Sequence, residues 1–187
     1  MSGRKVRLAH FKRVGTRSIY RARIFELKAV KMRVRDGHEF THEVIVHPGA
    51  AVVVPILPRQ RFVLIRQFRT ATGKVMWEFP AGTLERGESP LACAKREIIE
   101  ETGYEAKHWK KLTAFYPAPG ISTEFMHIFL ASGLSPSKMS LDRDEYIEKR
   151  IVGLSKLKKM ILNGTIVDSK TIVGFYFYCH KYSKAAP

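Results

Sequence analysis

The chain has 187 residues, 45% of them hydrophobic and 27% charged, which suits one packed domain with a small appendage and excludes disordered and fibrous classes. Thirty-three Lys+Arg against 17 Asp+Glu give a formal charge of +16, so the surface attracts polyanions such as nucleic acid, nucleotides or an acidic membrane. Two cysteines, Cys93 and Cys179, are too few for a disulfide framework and fit a reducing cytoplasm.

The first fifty residues carry 12 Lys+Arg against 4 Asp+Glu, half of the whole excess. No apolar segment follows the basic start, so no signal peptide is predicted. Tyr20–Val34 alternates apolar and basic positions and reads as strand, as does Phe40–Val46; Pro48-Gly49 is a turn. Residues 1–45 are too short and too alternating to hold a core alone, so they must pack on something. Apolar strands follow at Ala51–Leu57 and Phe62–Phe68. The longest apolar run, Ala50 to Leu57, has eight residues and includes Pro55, far too short for a spanning helix, and no membrane partner is expected.

Pro90–Thr102 is the clearest helix, with Ser89 as N-cap, Pro90 at the first helical position and Gly103 as the stop. Strands are predicted at Lys111–Tyr116, Met126–Ala131 and Tyr146–Val152, then helices at Leu154–Leu162 and Lys170–Tyr178. The aromatic run Phe175-Tyr176-Phe177-Tyr178 could equally be a strand. Strands before the helix and helices at the end give an α+β class.

Glu97, Glu100 and Glu101 fall on one arc of the predicted helix, beside an apolar stripe of Leu91, Ala94 and Ile98. Such a face is either a solvated Glu-rich surface or a nest for a hard divalent cation. Six of the 17 acids lie between Glu85 and Glu105, in a chain otherwise dominated by bases. The stretch fits G-x5-E-x7-R-E-U-x-E-E-x-G-U, with U apolar, from Gly82 to Tyr104, the last place being the loosest.

That pattern resembles the Nudix box of the Nudix hydrolases. The resemblance implies an α/β/α sandwich with a mixed sheet, and hydrolysis of a nucleoside diphosphate linked to another moiety. It also implies Mg²⁺, replaceable by Mn²⁺, held by Glu97, Glu101, Glu100 and the Ala81 carbonyl, with Arg96 orienting the glutamates and Glu88 bracing the loop. Trp77-Glu78-Phe79-Pro80-Ala81-Gly82 and Tyr116-Pro117-Ala118-Pro119-Gly120-Ile121-Ser122-Thr123-Glu124 are similar to segments of the ADP-ribose and nucleotide-sugar pyrophosphatases. Ala118 stands where Ser is common, and Pro119 lies sixteen residues after Gly103, the place that marks ADP-ribose pyrophosphatases.

In this branch a loop supplies the suspected general base, which makes Glu145 the candidate, followed by Glu148; the cluster Asp142–Glu145 reads otherwise as a solvated loop. Gln67-Phe68-Arg69 resembles the branch's Q-[FY]-R. Arg69 would then grip a substrate phosphate, or else pair with a nearby acid. Glu78, Glu124 and Pro119 are the further substrate-side candidates, and Phe68 or Trp77 would stack a base. The basic N-terminal strands resemble the small swapped domain through which the branch forms homodimers, which implies an N-terminal antiparallel β domain over residues 1–45 and a Nudix domain over residues 46–187. The positive charge leaves a second class open, an RNA 5′-end pyrophosphohydrolase or an RNA-binding Nudix module.

Overall fold

The computed structural model describes residues 10–141 and 146–182. The chain forms two compact units, one comprising residues up to Pro48 together with Ala118–Glu124, the other Gly49–Pro117 and the residues from Phe125 onward.

The first unit holds an antiparallel sheet in the order β1 (Lys12–Arg21), β2 (Glu26–Arg33), β3 (Glu39–Val46). The stretch read from sequence as a single strand, Tyr20–Val34, is thus the end of one strand and the whole of the next. The chain reverses between them, where the Ala22 N–H donates to the Phe25 carbonyl at 2.9 Å. The β2–β3 turn places Gly37 at φ 85°, in the left-handed region open to glycine. Glu39 answers two bases, with Arg33 Nε at 2.7 Å and Lys31 beside it, so part of the basic excess is neutralised across the strands. Val30 is buried, while Tyr20 and Ile19 are exposed.

The second unit is built on a seven-stranded mixed sheet: β4 (Ala50–Leu57), β5 (Arg61–Arg69), β6 (Lys74–Glu78), β7 (Ala81–Thr83), β8 (Tyr104–Phe115), β9 (Met126–Pro136) and β10 (Ile147–Gly153). Its main path runs β10-β5-β4-β9-β8, with β6 against β5 and β7 against β4. The β4–β9 pairing is parallel. β4 is apolar on both sides because both are covered, the pattern of a central strand. Val52 and Val54 face α2 (Leu154–Leu162) and α3 (Ser169–Tyr182) with Phe62, Leu64, Phe79, Leu157 and Phe175. Ala51 and Val53 face α1 (Pro90–Thr102) with Cys93, Ala94, Ile98 and Phe129. The aromatic run near the C-terminus is helical, because the 3.6-residue period sets Phe175 and Tyr178 into that core and leaves Tyr176 and Phe177 outside. Gly174, on the same helix face, lies so near the sheet that an added Cβ would meet Val54 at 3.0 Å. This is an α/β/α sandwich with a separate antiparallel sheet before it.

Candidate active site

α1 begins and ends at local signals. Ser89 is extended (φ −77°, ψ 149°) and its hydroxyl accepts from the Ala92 N–H at 3.2 Å; Gly103 closes the helix at φ 63° with its N–H on the Ile99 carbonyl. The buried stripe is Cys93, Ala94 and Ile98. Leu91, expected in that stripe, is exposed, and Cys93 packs in its stead.

Anchoring that stripe fixes the acid arc. Glu97 is 8% and Glu101 2% exposed, while the Glu100 side chain keeps 35%. Arg96 organises the group: Nη1 donates to Glu97 Oε1 at 2.7 Å and Glu100 Oε2 at 2.9 Å, while Nε and Nη2 both reach the Glu88 carboxylate at 3.1 Å. The other Glu88 bond closes the loop, since Oε2 accepts from the Glu85 N–H at 3.0 Å. Hydrogen bonding from Arg96 holds the Glu88 carboxyl below the usual carboxylate range, and the same bonds raise the guanidinium further. Cys93, beneath this cluster, is pushed up to about 12, first by burial and then by Glu97.

β7 brings the backbone against the helix. The Ala81 N–H donates to Glu101 Oε2 at 2.9 Å. Gly82 is a close approach: a Cβ there would stand 1.6 Å from Glu97 Oε1, so only glycine leaves that carboxylate its place. Among the described residues, no three His, Cys, Asp or Glu side chains are gathered to ligate one ion. Arg96 lies between Glu97 and Glu100, and Glu101 is turned to Ala81. The donor set itself fits a hard divalent cation: three carboxylate side chains within five residues of one helix, two of them buried, packed against a glycine cradle.

The substrate-side candidates are distributed differently. Arg69 sets its fork on Glu78, Nε to Oε1 at 2.8 Å and Nη2 to Oε2 at 2.6 Å, so of the two readings of this residue the structure displays the pairing with a nearby acid. Glu78 is 1% exposed and also meets Lys170 Nζ. Burial alone would push its carboxyl up; the hydrogen bonds from Arg69 and the charge of Lys170 outweigh this and hold it low.

In the β5–β6 register Ile65 faces Glu78 and Arg66 faces Trp77. Strand alternation then puts Phe68 and Trp77 on the sheet face opposite Arg69 and Glu78. Trp77 lies under the Arg66 guanidinium, 5.4 Å from its ring centre, and packs on the α2–α3 core, while Phe68 is exposed. Neither aromatic therefore shares a sheet face with Arg69 and Glu78.

Glu124 and Pro119 belong to the first unit. There the turn after Pro119 closes on the Ala118 carbonyl, and Glu124 Oε1 lies 3.9 Å from His47 Nδ1. Glu148 is exposed on β10 and pairs with Arg66 at 3.0 Å and Arg150 at 2.7 Å. Glu145 lies outside the described residues.

Sequence reasoning passed over three residues here: Lys170 and Thr171, which meet Glu78 and its neighbour Phe79, and Asp168, which holds those two. Lys170 Nζ donates to Asp168 Oδ1 at 2.9 Å as well as to Glu78, and the Thr171 hydroxyl accepts from the Phe79 N–H at 2.7 Å. Asp168 Oδ2 also accepts from the Thr171 N–H at 3.0 Å, which caps α3. An Asp two residues before a Lys-Thr pair at a helix start was the available signal.

A NUDIX domain model matches residues 46–172, most of the chain, and the protein belongs to the Nudix hydrolases. It is 36% identical to the ADP-ribose pyrophosphatase of Bacillus subtilis over 162 residues, covering 86% of this chain and 88% of that protein. It is 33% identical to the methanol dehydrogenase activator of Bacillus methanolicus, over 89% of this chain and 91% of that one. A crystal structure of an ADP compounds hydrolase superposes with a TM-score of 0.83 over 94% of this chain and 95% of the other; at 22% identity this is a likeness of fold.

Proposed function

We propose that the protein hydrolyses the diphosphate of ADP-ribose or a related nucleoside diphosphate sugar, giving a nucleoside monophosphate and a sugar phosphate, with Mg²⁺ or Mn²⁺ as cofactor. The carrying observation is the Arg96-centred group of Glu88, Glu97 and Glu100 packed beside Gly82, with Glu101 on the Ala81 backbone. Likeness to the Bacillus subtilis ADP-ribose pyrophosphatase supports the substrate class.

In this reading Glu97, Glu100 and Glu101, with the Ala81 carbonyl, hold the cation. Bound there, the ion offsets the charge of a diphosphate entering a carboxylate nest and supplies Lewis acidity at a phosphoryl oxygen. Arg96 keeps the glutamates oriented through its fork, Glu88 ties that fork to the loop, and Arg69 grips a phosphate oxygen once it leaves Glu78. Glu145 takes the proton from the attacking water, with Glu148 and Glu124 as the alternatives. We place the activity in the cytoplasm, in keeping with two free cysteines.

We further infer a homodimer through residues 1–45, supported by the apolar side chains exposed on β1. Light scattering on the full chain should give about twice 21.4 kDa. The deciding assay for function is phosphate release from ADP-ribose through a coupled phosphatase. Activity should vanish in EDTA and return with Mg²⁺; an unchanged rate in chelator would overturn the reading.

A further inference from the structure

We propose that Lys170 is a positioning residue that keeps the buried Glu78 neutralised so that Arg69 is free to exchange between Glu78 and a substrate phosphate. This rests on the proposed hydrolysis of nucleoside diphosphate sugars and assigns to that site a residue outside the Nudix box.

Glu78 has two cationic partners of unequal freedom. The Lys170 side chain is 9% exposed, and its ammonium is held between Glu78 and Asp168. The Arg69 side chain is 39% exposed and meets Glu78 from the solvent side of the pair. A carboxylate with 2% side-chain exposure cannot lose its only counter-ion cheaply, because its charge would remain buried and uncompensated. With Lys170 in place, Glu78 keeps a cation when Arg69 departs. Without it, Arg69 becomes the sole counter-ion and is retained, and an incoming phosphate must compete with Glu78 for the guanidinium.

The same corner fixes the backbone that leads to the carboxylates. Glu78 is tied to Lys170, the Phe79 N–H to the Thr171 hydroxyl, the Pro80 carbonyl to the Val53 N–H at 2.8 Å, and the Ala81 N–H to Glu101. Four consecutive residues are thus anchored, and the first two anchors lie on the opening turn of α3. Lys170 thereby joins α3 to the segment that supports Glu101, while its ammonium is directed at Glu78 and Asp168.

The test is a double-mutant cycle of Lys170→Met and Glu78→Gln. ADP-ribose affinity is read by calorimetry in EDTA, where no turnover occurs, alongside KM and kcat in Mg²⁺. Lys170→Met should weaken ADP-ribose by about tenfold and raise KM more than it lowers kcat. Glu78→Gln releases Arg69 and should bind at least as tightly as the wild type. In the Glu78→Gln background, adding Lys170→Met should change affinity by less than about twofold, because Lys170 acts only through Glu78. That last comparison holds even if Lys170→Met alone does not fold, since the paired replacement leaves no uncompensated charge on Glu78, and Asp168, which also loses Lys170, keeps its bonds from the Thr171 N–H and hydroxyl.

Wild-type affinity in Lys170→Met would overturn the inference, and so would a further large loss in the double variant, which would mean that Lys170 meets substrate itself. A wild-type protein that neither binds ADP-ribose nor hydrolyses any nucleoside diphosphate sugar in Mg²⁺ overturns the functional reading and this inference together. Normal wild-type activity with an unresponsive cycle overturns the inference alone.

Discussion

Adding one methyl group at Gly82 tests whether Glu97 serves the chemistry or merely the fold. The Gly82 backbone is not in the left-handed region, so alanine costs nothing in conformation. Its Cβ, however, would lie 1.6 Å from Glu97 Oε1, 1.9 Å from Cδ and 2.6 Å from Oε2. Relieving that overlap moves the carboxylate by about 1.5 Å, and the flexible end of a glutamate moves more readily than the β7 backbone.

The displaced group loses its 2.7 Å bond from Arg96. Arg96 is partly open to solvent and keeps Glu88 and Glu100, so the loss is about 1–2 kcal/mol. For a chain of this length that lowers the melting temperature by roughly 2–8 °C. A misplacement of this size at a catalytic centre costs turnover on the order of a hundredfold. Thermal unfolding in EDTA and ADP-ribose hydrolysis across a Mg²⁺ titration measure the two effects on one preparation. Wild-type turnover at saturating Mg²⁺, with an unmoved melting temperature, would show that Glu97 has room to spare and holds nothing the reaction needs.

Glu101→Gln should leave the helix and the melting curve nearly unchanged, because glutamine has similar helix propensity and its amide oxygen still accepts from Ala81, while kcat falls by orders of magnitude; wild-type kcat at saturating Mg²⁺ would remove Glu101 from the cation site. Glu88 has a folded pKa below its unfolded 4.5, so it binds fewer protons folded than unfolded near that pH, and its contribution is full above 4.5 and lost as pH falls through the lower folded value. Urea unfolding between pH 6 and 3 should therefore show stability falling more steeply in the wild type than in Glu88→Gln; parallel curves would contradict the pairing with Arg96.

The central helix was legible to the residue because three local devices mark it: the Ser89 cap, Pro90 and the left-handed Gly103. β4 and β5 were equally plain, being apolar where a covered strand must be. β6 and β7 were not seen, since five and three residues are too short for a period to emerge, and β7 is defined by its partner Val52 and not by its own side chains. β8 starts at Tyr104, seven residues before the predicted Lys111, because exposed Lys107, His108 and Lys110 hide an edge strand under charge. At the site, the acids on α1 declared themselves by spacing. The Glu78–Lys170 pair did not, for it joins positions 92 residues apart and only tertiary structure brings them together.

β4 meets β9 in parallel, Ala50 opposite Met126 through Pro55 opposite Ala131, and this has a consequence for the chain as it is made. Pairing between positions 76 residues apart is slow to form, and at synthesis rates of roughly 5–20 residues per second the partner follows β4 by roughly 4–15 s. During that interval the nascent Val52-Val53-Val54 segment has an open edge and two uncovered apolar faces, which is where off-pathway strand addition begins. Pro55 has no N–H to offer a stray partner, so it limits how far such a mispaired ribbon can zip. Folding yield, as well as folded stability, is then a property that substitutions in β4 would change, and the ribosome-bound chain is where the difference in yield would be read.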